Sequence, residues 1–303
     1  MKLPCSPSNG TSDGTPKWPL IVHQLESLSQ STIASSQQIE DVILSINSAY
    51  RGLWDFVTLH KHFSTSLNAS SHLCTVIPSM AMMAMKLKEI CDSRDGCIGN
   101  GGDGGISLLH RGVRGSVTLS KKCVASLLCC AFFCAFPRRN EPLADTSEYR
   151  LFPTINFNKI FSSHSWPPCK LEFLFNYFSR VCNPNNSTGP QGNIVIERKG
   201  LIRKPDWESS TTKLFRVTVR SDGTIEDDAP GHLLVDFANK KLGGGVLGHG
   251  SVQEEIMFLT HPELLITRLL CAELDDDEAI IVRGHERYSR SSGYSASLSF
   301  AGN

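Results

Sequence analysis

Apolar residues in the first half of the chain recur at three- and four-residue spacing. Ile39, Val42, Ile43, Ile46 and Tyr50 predict an amphipathic helix after a Ser/Gln-rich stretch. Residues 78–91 predict a second, opened by Pro78 where a helix start tolerates proline, with its four methionines in the core. The greasy run Cys123 to Phe136 predicts a buried helix from about Ser120, ended by Pro137. Lys121, Lys122, Arg138 and Arg139 flank it and are expected to reach water. Leu171, Phe173, Leu174, Phe175, Tyr177 and Phe178 predict another helix, closed by Asn183-Pro184-Asn185-Asn186. The polar residues 1–16 are expected to be disordered, residues 96–105 to form a flexible Gly-rich surface loop, and residues 140–169 to be loop-rich.

The pattern changes after residues 183–192, which carry Asn, Pro, Ser, Thr and Gly without apolar period and are the best domain boundary. Ile194-Val195-Ile196 is a short β-branched run. Leu214 to Val219 alternates with period two, and Leu233 to Val235 reads as a buried strand ending in Asp236. Pro262 opens a helix carrying Leu264, Leu265, Leu269 and Leu270. Asp275-Asp276-Asp277 reads as a solvated turn. Ala279 to Val282 reads as a strand buried on both faces, hence central in its sheet, and Tyr294 to Phe300 alternates like one more strand. Pattern alone therefore gives a helical domain followed by an α/β domain.

Composition adds exclusions. Thirty basic and thirty acidic residues leave no net charge, so no global field attracts a polyanion, and direct nucleic-acid binding is not expected. The eleven cysteines include no pair of Cys-x-x-Cys units, which argues against zinc; most sit in apolar surroundings, as reduced buried thiols of an intracellular protein do. The start of the chain lacks the apolar core of a signal peptide. The run Cys123 to Phe136 is shorter than the roughly 20 residues that span a bilayer, so no membrane role is expected. No Gly-Lys-Ser/Thr follows a glycine loop, which excludes a phosphate-loop nucleotidase.

The chemistry concentrates in residues 232–258. After Asp236 come Phe237-Ala238-Asn239, then Gly243, Gly244, Gly245, Gly248 and Gly250, then Gln253-Glu254-Glu255 at the start of an apolar helical pattern. Such glycines mark a sharp turn or a backbone that lies closer to a partner than a side chain allows. Backbone N–H groups there, beside a helix N-terminus, suit an anion. His249 in this loop is expected to face solvent. An acidic pair beside an anion loop is what a glycosidic bond next to a pyrophosphate would require.

These residues resemble the signature of poly(ADP-ribose) glycohydrolases. Phe133-Cys134-Ala135-Phe136-Pro137-Arg138-Arg139-Asn140, Ile155-Asn156-Phe157-Asn158 and Gly293-Tyr294 also resemble that family, in its order, from about Trp18 onward. The resemblance implies an α/β macrodomain over residues 191–303, a mixed sheet flanked by helices and incomplete at its C-terminus, preceded by an all-α accessory domain over residues 17–190. It implies hydrolysis of ribose–ribose O-glycosidic bonds in poly(ADP-ribose) without a cofactor or metal. Glu255 would be the general acid, Glu254 would hold the ribose hydroxyls, and Asp236 would be the third acidic residue. Asn239 and Gln253 would bond ribose, and Ile225 and Glu226 would line the adenine side. Tyr294 would pack on the ligand, and the N–H groups of Gly243, Gly244 and Gly245 would cradle the pyrophosphate. Partners would be the polymer and ADP-ribosylated proteins, in nucleus and/or cytoplasm. The family's macrodomain continues past the position of Phe300 with further strands and a second phosphate loop. The chain as it stands is therefore expected to turn over polymer weakly, or to act as an ADP-ribose-binding or regulatory module.

Overall fold

The computed structural model describes residues 3–6, 15–30, 35–93, 97–98, 106–140, 147–183, 185, 189–219, 221–228 and 231–303. Most residues expected to be disordered at the start, most of loop 96–105, and Pro184 and Asn186 of the stretch that closes the predicted helix lie outside them. Within residues 1–16, Leu3 is buried in the main core.

The helices follow the apolar spacing. α1 (Trp18–Gln30) buries Ile21, Leu25 and Leu28, and α2 (Ser36–Ile46) buries Ile39, Val42, Ile43, Leu44 and Ile46. Tyr50 falls in the 3-10 turn that follows. After α3 (Val57–Thr65) and α4 (Ala69–Ser71), α5 (Ile77–Met85) carries Pro78 in its first turn, and α6 (Leu87–Asp92) completes the predicted segment. Of the four methionines Met80 is fully buried, whereas Met82 is exposed. α7 (Lys121–Phe132) is buried at every position except Lys122, and the Ser120 hydroxyl caps it by accepting the Cys123 N–H at 3.2 Å. It ends before Pro137 because Cys134 turns left-handed at φ 52° and the Ala135 N–H closes back on the Cys130 carbonyl. α8 (Asn158–Phe161) and α9 (Lys170–Val181) complete this half.

Two flanking cations depart from expectation. Lys121 is buried against Glu286 and lies 3.7 Å from Glu263. Arg139 is buried over the rings of Tyr149 and Phe152, and it donates to the carbonyls of Leu269, Pro153 and Arg268. A guanidinium has five donors and can take up the free carbonyls of helix ends without a carboxylate. Lys122 and Arg138 are exposed as expected. The cysteines of the greasy run, Cys123, Cys129, Cys130 and Cys134, are free buried thiols, as is Cys271.

Four strands, β1 (Cys97–Ile98), β2 (Gly115–Ser120), β3 (Asn193–Gly200) and β4 (Glu278–Arg283), pair in that order and antiparallel throughout. The one isolated parallel bridge among the described residues joins Leu109 to Cys271. The helical half thus contributes β1 and β2. Ser120 pairs with Asn193 across the segment 183–192, and one core runs through both halves. In the second half follow α10 (Ile225–Asp228), α11 (Gln253–Thr260) and α12 (Ile266–Leu270), with a short β5 (Ser291–Ser292) and β6 (Ser299–Phe300) hairpin. A 3-10 turn, Ser295–Ser297, interrupts what reads as one alternating strand. No described helix is long and apolar enough to cross a membrane.

Two expected strands are absent. Residues Leu214 to Val219 and Leu233 to Val235 run without strand pairing, and Phe215, Val217, Leu233 and Val235 are exposed. A strand needs a partner edge, and among the described residues neither segment pairs with one, although the outer edge of β4 is left unpaired. β4 itself is an edge strand rather than a central one, with Ala279 exposed and Ile280 to Val282 half-buried. It is held by Arg198 of β3, whose buried guanidinium pairs with Glu278 and donates to the carbonyls of Leu109, Ala272 and Glu273.

Among the described residues the outer edge of β4 is unpaired, and Trp207, Phe215, Val217, Leu233 and Phe237 are exposed; both features favour association. The 303-residue chain is expected to self-associate with rising concentration in light scattering. Replacing Phe215 and Val217 by Lys should reduce the association without lowering the melting temperature, because neither side chain is packed.

Candidate active site

α11 brings the acidic pair to the glycine loop. Its first residue, Gln253, reaches back to the extended segment 235–237: its Oε1 accepts the Phe237 N–H at 3.0 Å, and its Nε2 donates to the Val235 carbonyl at 3.2 Å. A side-chain amide thus takes the place of a neighbouring strand and holds Asp236 between two bonds. Glu254 accepts the Gly243 N–H at 2.6 Å and the Asn239 N–H at 3.0 Å. Glu255 accepts the Gly245 N–H at 2.8 Å and the Val252 N–H at 3.0 Å. Both glutamates are buried.

The loop N–H groups expected to face a pyrophosphate are therefore engaged within the chain. Those of Gly243 and Gly245 serve the carboxylates. Those of Gly244, Gly248 and Gly250 bond the carbonyls of Lys241, Gly245 and Gly245. The glycines are needed for closeness to carboxyl oxygens. A Cβ on Gly244, where φ is +42°, would overlap Glu255 Oε1 and lie 2.7 Å from Glu254 Oε2; one on Gly250 would overlap the Glu255 carboxyl.

Cations close the loop from its other side. Arg268 of α12 donates to the carbonyls of Leu242 at 2.8 Å and Gly244 at 3.1 Å. Lys170 at the start of α9 donates to those of Val246 at 3.1 Å and Gly248 at 2.6 Å. Burial lowers the Lys170 ammonium to about 8 against the opposing pull of Glu255. Sequence reading missed both. Arg268 alone carried a signal, a single cation inside the apolar helical run Ile266-Thr267-Arg268-Leu269-Leu270, where every position is buried.

The remaining predicted residues are placed as follows. The Asn239 side chain accepts the Lys241 N–H in a local turn at the surface. Tyr294 is exposed on the β5–β6 hairpin, which joins the loop through the Ser295 N–H and the Ser251 carbonyl at 2.9 Å. Ile225 and Glu226 open α10, which an Asp227–Arg287 ion pair fastens; their side chains lie outside the described residues. His249 is exposed.

Two models of known families match the chain in succession. "Poly (ADP-ribose) glycohydrolase (PARG), helical domain" covers residues 65–198, and "Poly (ADP-ribose) glycohydrolase (PARG), Macro domain fold" covers residues 204–303. The chain belongs to the poly(ADP-ribose) glycohydrolase family. Poly(ADP-ribose) glycohydrolase 1 of Arabidopsis thaliana is 37% identical over 238 residues, which make up 75% of this chain and 41% of that protein. Probable poly(ADP-ribose) glycohydrolase 2 of the same plant is 31% identical over 246 residues, 75% of this chain and 45% of that protein. Poly(ADP-ribose) glycohydrolase 1 of Caenorhabditis elegans is 34% identical over 192 residues, 61% of this chain and 22% of that protein. The chain thus spans less than half the length of these relatives. This glycohydrolase-family chain is built as a helical domain followed by a macrodomain fold.

The acidic cluster of this family member is electrostatically loaded. Burial, and then Glu255, raise Asp236 from 3.8 to about 6, and its Oδ1 is buried without a hydrogen-bond partner. Burial raises Glu254 from 4.5 to about 7; Asp236 and Glu255 add to the rise, and the Asn239 and Gly243 N–H groups oppose it. Both carboxyls therefore hold protons in the folded state that the unfolded chain releases. Their contribution to stability is present at low pH and is lost as pH rises through about 6 and about 7. Burial lowers His62, His72 and His261 to about 4, which gives the opposite slope, so a difference measurement is needed. Asp236→Asn should melt higher than the parent at about pH 7.5 and match it at about pH 4, since Asn removes the charge from an oxygen that lacks a partner. Gly244→Ala should destabilise by about 1–3 kcal/mol in urea unfolding through its backbone strain and carboxylate overlap. Gly248→Ala, whose Cβ would meet only the Gly245 carbonyl at 3.8 Å, should be near neutral.

Proposed function

We propose that the chain hydrolyses the ribose–ribose O-glycosidic bond of poly(ADP-ribose), releasing ADP-ribose. The observation that carries this reading is the gathering of Asp236, Glu254 and Glu255 at one glycine loop, with two of the three carboxyls raised towards neutrality. Cleaving a glycosidic bond needs a proton for the leaving oxygen and a base for water, and one carboxyl can serve as each in turn. Glu255 is the general acid. Its carboxyl is the one that Gly244 and Gly250 pass too closely for a side chain, so glycine backbone rather than side chains surrounds it. It gives its proton to the leaving ribose oxygen as the anomeric C–O bond breaks. Its carboxylate then takes a proton from the water that attacks the anomeric carbon.

Burial brings Glu254 to about 7 and Asp236 to about 6, so the cluster around Glu255 carries less negative charge than three ordinary carboxylates would. Asn239, Ile225, Glu226 and Tyr294 are the proposed contacts to ribose and adenine. Gln253 serves the ligand through the 235–237 segment that it clamps. With the N–H groups of Gly243 to Gly245 engaged internally, the pyrophosphate must be met elsewhere or by a loop that rearranges. Free polymer and polymer on ADP-ribosylated proteins are the proposed partners, in nucleus or cytoplasm.

That internal engagement, with residues 201–219 exposed throughout, favours a second reading in which the chain binds ADP-ribose with little turnover. Labelled polymer separates the two. Under the first reading the chain releases ADP-ribose and Glu255→Gln loses about 10²–10⁴-fold in rate with little change in affinity. Glu255→Gln within a few-fold of the parent removes Glu255 from the role. A parent that binds ADP-ribose by calorimetry without releasing product supports the second reading.

A further inference from the structure

We infer that Arg268 is a positioning residue for both site glutamates, acting through the two loop peptide units that lie between it and them. A peptide unit is planar and trans, so its C=O and N–H point to opposite sides. In the unit joining Leu242 to Gly243, the carbonyl accepts from Arg268 Nη1 at 2.8 Å and the N–H donates to Glu254 Oε1 at 2.6 Å. In the unit joining Gly244 to Gly245, the carbonyl accepts from the same Nη1 at 3.1 Å and the N–H donates to Glu255 Oε1 at 2.8 Å. One guanidinium nitrogen thus pulls on two peptide units whose far ends hold the two carboxylates.

A cation on a carbonyl oxygen withdraws electron density from the amide and makes its N–H a stronger donor, more so in a low-dielectric interior. A stronger donor to a carboxylate favours the ionised form and fixes where the carboxylate sits. Arg268 is itself fixed. Its Nε donates to the Thr154 carbonyl at 2.9 Å, and its own carbonyl accepts from Arg139 Nη2 at 2.8 Å. The lack of a side chain at Gly243 is part of the device, because a Cβ there would lie 3.0 Å from Nη1 and 2.9 Å from the Phe258 ring. A residue that only filled unpaired carbonyls would have no reason to select these two units.

This inference takes Glu254 and Glu255 as the site but does not need turnover to be tested. The other charged groups that face the pair are Asp236 from the extended segment and Lys170 from α9, and both remain in the variants. The glutamate-labelled 303-residue chain is titrated by carboxyl carbon NMR, with Glu254→Gln assigning the Glu254 signal and near-ultraviolet circular dichroism checking the fold. In Arg268→Gln the Glu254 midpoint should rise by about one pH unit. In Arg268→Lys, which keeps a cation but loses the Thr154 anchor, it should rise less. Where the parent turns over polymer, Arg268→Gln should lower kcat roughly ten-fold, the scale on which outer-shell partners act, with KM little changed. A folded Arg268→Gln that titrates Glu254 at the parent midpoint overturns the inference. If that variant does not fold, a folded Arg268→Lys at the parent midpoint overturns it equally. Failure of the glycohydrolase reading would appear separately, as a parent without turnover whose titrations still move.

Discussion

Two buried carboxylates on adjacent residues are costly to place, and the second half of the chain is arranged around meeting that cost. Each oxygen of Glu254 and Glu255 accepts one backbone N–H, two from the glycine loop, one from Asn239 and one from Val252. Those donors can aim inward only if the loop carbonyls find partners outside, which Arg268 and Lys170 supply. Glycine recurs in the loop because the carboxyl groups occupy the space that side chains would need.

Buried cations are used in the same way elsewhere. Arg139 takes the carbonyls of Arg268 and Leu269 at the end of α12 and that of Pro153, and Arg198 ties β3 to the Leu109 and Ala272 backbone as well as to Glu278. An asparagine chain serves where no charge is needed. Asn156 donates to Asn140, and Asn140 to Asn47, linking α2 to the segment after α7. These polar links run inside one core, so breaking any of them would leave a buried group unpaired.

Helices with a clear apolar period were legible, because α2, α5, α7 and α9 follow from spacing within one segment. Strand partners were not, since pairing is decided by which edges lie free elsewhere. Leu214 to Val219 has the alternation of a strand and no neighbour, whereas Gly115 to Ser120, which drew no strand reading, pairs along its whole length with β3. At the site, the glycine loop, the acidic pair and Asp236 were legible as a cluster. What the loop N–H groups bind was not, because a free anion and an internal carboxylate present the same acceptor. Arg139 and Lys121 were read as surface ends of a helix because flanking charges usually are; only the fold places carbonyls and carboxylates around them.

The pairing of Ser120 with Asn193 also sets an order of events during synthesis. β2 leaves the ribosome well before its partner, and α7, α8 and α9 are made in between. Helices form from neighbours in sequence, so α7 can coil while β2 still has an open edge. The sheet can close only after β3 has emerged, and β4 must wait longer still. A nascent chain stalled between α9 and β3 would carry a folded helical layer above an unfinished strand, the kind of intermediate that a chaperone recognises.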